Sequence, residues 1–267
     1  MITGNTNVFA IIANPVHHVR TPQALNALFE SHGYDGILVP VAVTPGEGLL
    51  NAIAALRSFT NWGGFVVTVP HKTEVVALCD RLTPRAAVAG AANVVRRELD
   101  GTLTGELLDG VGFVRGLENA GFDIKGRSVY LAGAGGAASA IAFALAAAGV
   151  GRLTVTNRSS EKSENLVARL REHFPDVSFE AQGTLTGHEV IINGTSLGLN
   201  HDDQLPVDAE CLQPEMLVAE VIMSPELTPL LHIAREKGCR IHPGKAMLDS
   251  QLAEIFDFLT KRSSLRN

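Results

Sequence analysis

The sequence predicts an α/β protein of two domains, each built on strands that alternate with helices. Three observations carry this expectation. Short apolar runs recur along the chain and are separated by stretches with apolar residues at helical spacing. A glycine-rich turn stands between a strand-like run and a helix-like run near the middle of the chain. With 267 residues, 46% hydrophobic and 19% charged, the chain is long enough for two cores and too apolar to stay disordered.

In the first hundred residues, Val8 to Ile12 reads as a buried strand and Thr21 to His32 as a helix. That helix carries Leu25, Leu28 and Phe29 on one face and ends at Gly33. Gly36 to Val43 is a second strand. Gly46 to Ser58 is helical, with Leu49, Leu50, Ile53 and Leu56 at helical spacing, and Gly64 to Val69 is a third strand. Strand–helix–strand order implies parallel pairing through right-handed crossovers. Val94 to Glu106 reads as a hairpin turning at Asp100-Gly101.

A second unit begins near residue 107. Asp109 to Ala120 is a helix, Ser128 to Ala132 a strand, Gly136 to Ala148 a helix and Arg152 to Thr156 a strand. Apolar runs follow at Glu189 to Asn193 and Leu217 to Val221. This βαβ alternation is the signature of an open, doubly wound sheet. Met247 to Leu259 is helical, with Leu248, Gln251, Leu252, Ile255 and Phe256 on one side. No internal repeat and no low-complexity linker interrupts the chain.

Several function classes drop out on composition. A net charge of -6 gives a phosphate backbone nothing to bind, so no nucleic-acid partner is expected. No run approaches the ~18 apolar residues of a membrane span, and the N-terminus lacks a basic segment followed by an apolar one. The three cysteines, Cys79, Cys211 and Cys239, are sparse and unpaired in spacing, which suggests reduced thiols in the cytoplasm. The adjacent pair His17-His18 seldom suits one metal ion, so no metal is expected. Monomer and homodimer stay open.

Gly133-Ala134-Gly135-Gly136-Ala137-Ala138 fits G-x-G-x-x-A, after a strand and opening a helix. The first glycine permits the tight turn, and the second lets the backbone approach a pyrophosphate. Ala138 allows close helix–strand packing, and the helix N-terminus offers unpaired N–H groups to phosphates. In this context the motif implies a dinucleotide, although glycines also make ordinary turns. The next strand ends at Thr156-Asn157-Arg158-Ser159, without the acid that would hold ribose hydroxyls in an NAD-type site. Arg158 suits an adenine face or a 2′-phosphate; it equally suits a surface arginine at the sheet edge. A second puzzle is VTVPHK, Val67 to Lys72, where a buried strand runs into a proline and stops at a lysine. Lys72 is either a solvated loop residue or chemistry placed past a strand end.

Taken together, these motifs resemble the shikimate dehydrogenase family, which includes quinate/shikimate and aminoshikimate dehydrogenases. Asn14-Pro-Val-His-His-Val-Arg-Thr-Pro22 is similar to its N-P-x-x-H-S-x-S-P loop, and VTVPHK to its N-V-T-x-P-x-K segment. Gly90-Ala-Ala-Asn93 resembles G-A-x-N-T, and Gly105-Glu-Leu-Leu-Asp-Gly110 resembles G-x-N-T-D-G. The glycine loop, Asn157-Arg158-Ser159, Asn193-Gly-Thr-Ser-Leu-Gly198 and Gly244-Lys-Ala-Met-Leu-Asp-Ser-Gln251 follow in family order, so the resemblance runs nearly end to end.

The resemblance implies a substrate-binding catalytic domain over residues 1–106 plus a C-terminal helix at 245–267, and an NAD(P)-binding, Rossmann-like domain over 107–244. It implies reversible hydride transfer between NAD(P) and the ring secondary alcohol of shikimate or a close analogue, a step of the shikimate pathway of aromatic amino acid biosynthesis. Lys72 and Asp109 are then the catalytic pair. Desolvation lowers the basicity of an amine and a carboxylate restores it, so a lysine under both influences can shuttle a proton; an ordinary interdomain salt bridge is the plainer reading of the pair. Thr21, Thr68, Asn93, Gln251 and Val19 fall at substrate-binding positions, Thr21 also serving as a candidate N-cap before Pro22. Gly133, Ala134, Gly135, Gly136, Ala137, Asn157, Arg158, Ser159, Asn193, Thr195, Ser196, Val221 and Gly244 fall at cofactor positions.

The chain departs from the family pattern at several points. Val19 replaces the first loop serine and Thr21 the second. Leu107 and Leu108 replace the asparagine and threonine before the aspartate, Val66 replaces the asparagine before V-T, and Met223 replaces a tyrosine. Two of the three hydroxyls that hold the substrate carboxylate in the family are thereby lost, each worth ~1.5–3 kcal/mol when bound to a charged group. Arg20, His17 and His18 are the available replacements. The expectation is a divergent member for which shikimate is a poor or partial substrate, with quinate or aminoshikimate turnover as the alternative. For the cofactor, Lys162 stands where NADP-using relatives carry a second arginine, and Glu161 beside it repels a phosphate. That tilts the expectation toward NAD, with NADP the alternative. A binder that has lost turnover is a further class, opposed by the retained Lys72, Asp109 and Gln251. A methylene-tetrahydrofolate dehydrogenase is opposed by VTVPHK and the closing Met247-Leu248…Gln251 element.

Overall fold

The computed structural model describes residues 2–17, 19–200 and 202–261. It divides into two compact units, one of Met1–Leu108 with Leu252–Asn267, the other of Asp109–Gln251. Each holds a six-stranded sheet.

In the first unit, β1 (Asn7–Ala13), α1 (Thr21–Ser31), β2 (Gly36–Ala42), α2 (Glu47–Arg57) and β3 (Trp62–Val67) give two βαβ crossovers. A 3-10 turn (Glu74–Leu78), β4 (Arg81–Leu82) and α3 (Pro84–Ala89) lead to the hairpin of β5 (Val94–Arg97) and β6 (Leu103–Glu106). The sheet order is β2-β1-β3-β5-β6-β4. β1 pairs parallel with both β2 and β3, while β5 is antiparallel to β3 and to β6. The third strand ends at Val67 rather than Val69: Val69 is 64% exposed, and Pro70 closes the ladder because it has no N–H to give.

One face of this sheet buries Ile12, Leu49, Ile53, Phe65, Val75 and Val95. On the other, Phe9 stacks on Phe29 with centroids 5.2 Å apart, and Phe29 meets Phe256 at 5.8 Å. Phe256 lies on α8 (Lys245–Thr260), whose end is tied to the sheet by Arg96, donating from Nη1 to the carbonyls of Phe258 and Lys261. Each fully buried side chain of this size contributes roughly 1.5–3 kcal/mol.

The second unit opens on α4 (Asp109–Asn119) and continues through β7 (Ser128–Ala132), α5 (Gly136–Ala147), β8 (Arg152–Thr156), α6 (Ser160–His173), β9 (Ser178–Ala181), β10 (Val190–Asn193), β11 (Leu217–Glu220), α7 (Pro229–Glu236) and β12 (Arg240–His242). All its strands are parallel, in the order β12-β11-β10-β7-β8-β9. The chain winds outward one way through β7, β8 and β9, then returns beside β7 and winds the other way. This is the doubly wound order, with its switch point between β7 and β10. Ile191, Val218, Leu230, Leu231 and Ala234 fill one face. α5 is nearly all small residues, so α4 approaches it closely; a Cβ on Gly110 would collide with the Ala140 carbonyl.

Candidate active site

Ligands of parallel sheets bind beyond the carboxyl ends of the strands, and the sequence-derived site residues gather there in each unit. In the first unit, the loops after β1 and β3 are stitched together. Thr68 N–H donates to the Ile12 carbonyl at 3.0 Å, and Asn14 N–H to the Val69 carbonyl at 3.2 Å. The turn carrying Lys72 is pinned on both sides. Ala92 N–H donates to the Lys72 carbonyl at 2.8 Å, and His71, fully buried, places Nε2 2.9 Å from the Val43 carbonyl. A carbonyl only accepts, so Nε2 carries the proton. Lys72 itself is half-buried and Thr68 likewise.

Thr21 is buried but does not cap α1: it is the helix's first residue, the cap position is Arg20, and no side chain caps that end. The capping reading is thus corrected, because the helix starts one residue earlier than Pro22 alone suggests. Val19 is half-buried, Arg20 and His17 are exposed, and His18 lies outside the described residues. Asn93 is buried and its Oδ1 accepts from Leu108 N–H at 2.8 Å. Glu106, also buried, accepts from Thr83 Oγ1 (2.8 Å), Arg85 Nη2 (2.8 Å) and Leu107 N–H (2.7 Å). The Asn93 amide and the Glu106 carboxylate therefore hold the segment that leads into Asp109. Leu107 and Leu108 are buried there, and Val66 is buried in β3.

In the second unit, Asp109 opens α4 and is 3% exposed; Gln251 Nε2 donates to its Oδ1 at 2.8 Å. Gly112 makes room for that contact, since a Cβ there would stand 2.6 Å from Gln251 Cβ.

The glycine turn lies between β7 and α5, beside the switch point. Gly133 has φ +115° and packs on Gly194, where a side chain would meet the Gly194 carbonyl at 2.9 Å. Gly135 and Gly136 face open space, and no side chain caps α5. A bare helix N-terminus with unobstructed backbone before it suits a pyrophosphate. Ala134 and Ala137 are half-buried in the same turn. After β8, Asn157 Nδ2 donates to the Ser159 carbonyl at 3.1 Å, Gln182 Nε2 donates to the Asn157 carbonyl at 2.9 Å, and Arg158, Ser159, Glu161 and Lys162 are exposed.

After β10, Asn193 Oδ1 accepts from Thr195 N–H (2.9 Å) and Oγ1 (2.7 Å), and Ser196 is exposed. Val221 N–H donates to the Asn193 carbonyl at 3.2 Å, and a side chain on Gly244 would collide with the Ile222 carbonyl. Met223 is 50% exposed.

Sequence reasoning missed Glu220, Glu106 and His71. The available signal was a lone charged or titratable residue inside or beside an apolar strand run. A cavity of about 540 Å³ opens at the amino-terminal ends of the strands of the second unit's sheet, lined by Phe122, Arg127, Glu189 and Arg240 among others. There Arg127 is paired with Glu189, and Arg240 lies over the Phe122 ring at 3.8 Å. Among the described residues, no group of three His, Cys, Asp or Glu is placed to hold a metal ion, and no helix is long and apolar enough to cross a membrane.

The fold and the glycine turn define a doubly wound α/β protein of the dinucleotide-binding class joined to a second α/β unit. Residues 11–95 match the shikimate dehydrogenase substrate-binding domain, and residues 117–200 match the shikimate / quinate 5-dehydrogenase domain. The chain belongs to the shikimate dehydrogenase family, a family of oxidoreductases. It is 39% identical to the shikimate dehydrogenase (NADP(+)) of Geobacter metallireducens, over 94% of this chain and 90% of that one. Its structure is similar to shikimate 5-dehydrogenase from Listeria monocytogenes in complex with shikimate and NAD, with TM-score 0.90, 32% identity, and 97% and 93% of the two chains covered. It is also similar to 5-ketofructose reductase of Gluconobacter sp. strain CHM43, with TM-score 0.89, 30% identity, and 98% and 95% covered.

Proposed function

We propose that this chain is an NAD(P)-dependent dehydrogenase of the shikimate type, catalysing 3-dehydroshikimate + NAD(P)H + H⁺ ⇌ shikimate + NAD(P)⁺ or the same step on a close analogue. The observation that carries this reading is the end-to-end likeness to shikimate dehydrogenases in a chain that keeps both Lys72 and Asp109. When bound, the nicotinamide supplies the hydride chemistry. The protein's task is to orient the alcohol and to move its proton.

Lys72 takes the hydroxyl proton during oxidation and returns it during reduction. The pinned turn around it supports this role, because proton transfer needs a donor held within hydrogen-bond reach. Asp109 serves the same transfer, and its orientation by Gln251 supports that assignment. Gln251 thus acts on the catalytic carboxylate as well as being a candidate substrate contact. Thr21, Thr68 and Asn93 orient ring hydroxyls, and Val19 borders the same pocket. Gly133 to Ala137 hold the pyrophosphate, Asn157 to Ser159 the adenosine end, and Asn193, Thr195, Ser196, Val221 and Gly244 the nicotinamide end.

The apolar residues Val19, Leu107 and Leu108 and the exposed Met223 support weaker anchoring of a substrate carboxylate. Shikimate is accordingly a partial substrate, with turnover of quinate or an amino-substituted analogue as the alternative. Glu161 beside Lys162 favours NAD, whereas Arg158 and the relatives' names favour NADP. The free thiols of Cys79, Cys211 and Cys239 fit a reducing cytoplasm. The test is the initial rate of cofactor reduction with shikimate and with quinate, each against NAD and NADP. A rate with shikimate at the level of a dedicated biosynthetic enzyme removes the partial-substrate reading; no rate with any pair removes the dehydrogenase reading.

A further inference from the structure

Glu220 is a fully buried carboxyl at the carboxyl end of β11. It faces Asn193, its register partner on β10. Asn193 Nδ2 donates to both carboxyl oxygens, at 3.1 and 3.0 Å, and Thr228 Oγ1 donates to Oε1 at 2.8 Å. An Asn amide nitrogen has no lone pair to give. A protonated carboxyl would turn a hydrogen against it and lose part of the set.

Asn193 shapes the 193–198 loop through Thr195 and also donates to the Leu197 carbonyl at 2.9 Å. Thr228 opens α7 and closes the 221–228 loop. One carboxyl thus ties together two loops. In doubly wound folds the first βα turn takes the pyrophosphate and the end of the next strand the adenosine ribose. The loops after β10 and β11, on the other side of the switch point, serve the nicotinamide half.

We infer that Glu220 is a positioning residue of the dinucleotide site, whose ionised carboxylate holds the 193–198 and 221–228 loops in the shape that accepts the nicotinamide half. The inference rests on the dehydrogenase reading above. Burial pushes this carboxyl up to about 7, against the pull of its hydrogen bonds. The charged and titratable residues of β12, Arg240 and His242, pair with Leu217 and Ala219 and so point to the other face, Arg240 over Phe122 and His242 against Phe113 and Phe122. On α7, His232, Arg235 and Glu236 are exposed. Because the ionised form binds, cofactor affinity rises as pH is raised through 7, and binding below that point releases a proton.

The experiment is equilibrium calorimetric titration of the apo-protein with NAD⁺ and NADP⁺, and with ADP-ribose and its 2′-phosphate, which lack nicotinamide, between pH 6 and 8.5. Wild type should gain about tenfold in affinity for the full dinucleotide across this range, while Glu220→Gln should bind it about tenfold more weakly at pH 8.5 and without pH dependence. ADP-ribose affinity should be equal in both proteins. An equal loss for dinucleotide and ADP-ribose would show a general structural role and overturn the inference, as would a pH profile that survives in Glu220→Gln. Should that variant not fold, Thr228→Val removes one donor and must move the midpoint to higher pH; an unmoved midpoint overturns the inference. If wild type binds no dinucleotide at any pH, the dehydrogenase reading fails and takes this inference with it. Dinucleotide binding that ignores Glu220 sinks the inference alone.

Discussion

Gln251 holds Asp109. Its side-chain amide donates to Asp109 Oδ1 at 2.8 Å, and both residues are buried, at 5% and 3% exposure. A buried carboxylate that loses a donor costs roughly 1–3 kcal/mol. Gln251→Ala should therefore lower kcat/KM by about ten- to a hundredfold and reduce stability by a similar energy. Gln251→Glu should do more harm, because two adjacent carboxylates resist joint ionisation, and its pH–rate profile should shift upward. Steady-state kinetics across pH decides it; unchanged kinetics in both variants would remove Gln251 from the site.

Lys72→Ala should abolish turnover, by ~10²–10⁴-fold, while leaving dinucleotide affinity within about twofold. The split is expected because Lys72 lies in the first unit and the glycine turn in the second. Turnover beside a cofactor titration checks it. Turnover equal to wild type would return Lys72 to the status of a loop lysine.

Gly110→Ala tests packing rather than chemistry. A Cβ there collides with the Ala140 carbonyl and approaches Ala144 Cβ at 2.8 Å, so α4 and α5 must separate. Overpacking of this kind costs about 1–3 kcal/mol. Urea denaturation should report that loss at unchanged m-value.

His242 predicts acid sensitivity. It is 3% exposed, its Nε2 has no hydrogen-bond partner, and burial holds its basicity below the ordinary histidine value. The folded state therefore keeps it neutral where the unfolded chain takes up a proton. Stability from this site is complete above the unfolded value of about 6.5 and falls as pH drops below it. His242→Phe, set between Phe113 and Phe122, should flatten the dependence of Tm on pH between about 6.5 and 5. Thermal melts across that range are the check; an unchanged slope points to His188, which is also held neutral by burial.

Glu161 bears on the proposed cofactor choice. It is exposed in the first turn of α6, between Arg158 and Lys162. Glu161→Gln removes a repulsion and should improve NADP⁺ affinity several-fold, more at low salt, with little change for NAD⁺. Binding titrations at two ionic strengths measure it.

Much of this architecture was legible in the residues themselves. Apolar runs marked β1, β2 and β7 because a strand's pattern is local. The glycine turn was recognisable because strand, turn and helix follow one another in sequence. α6 escaped notice because its polar composition hides a thin apolar stripe of Leu166, Val167 and Leu170. β9 and β12 escaped because these edge strands, SFEA and RIH, mix polar with apolar residues and so present no apolar run.

The candidate site was legible as residue types and order, since Lys72, Asp109 and the glycines stand in motifs. What those side chains touch was decided by the tertiary structure. Gln251 reaches Asp109 across 142 positions of sequence, and Asn193 meets Glu220 across 27. Local pattern determines where strands and helices form; only folding sets which distant polar groups are buried together, and burial then makes those hydrogen bonds obligatory.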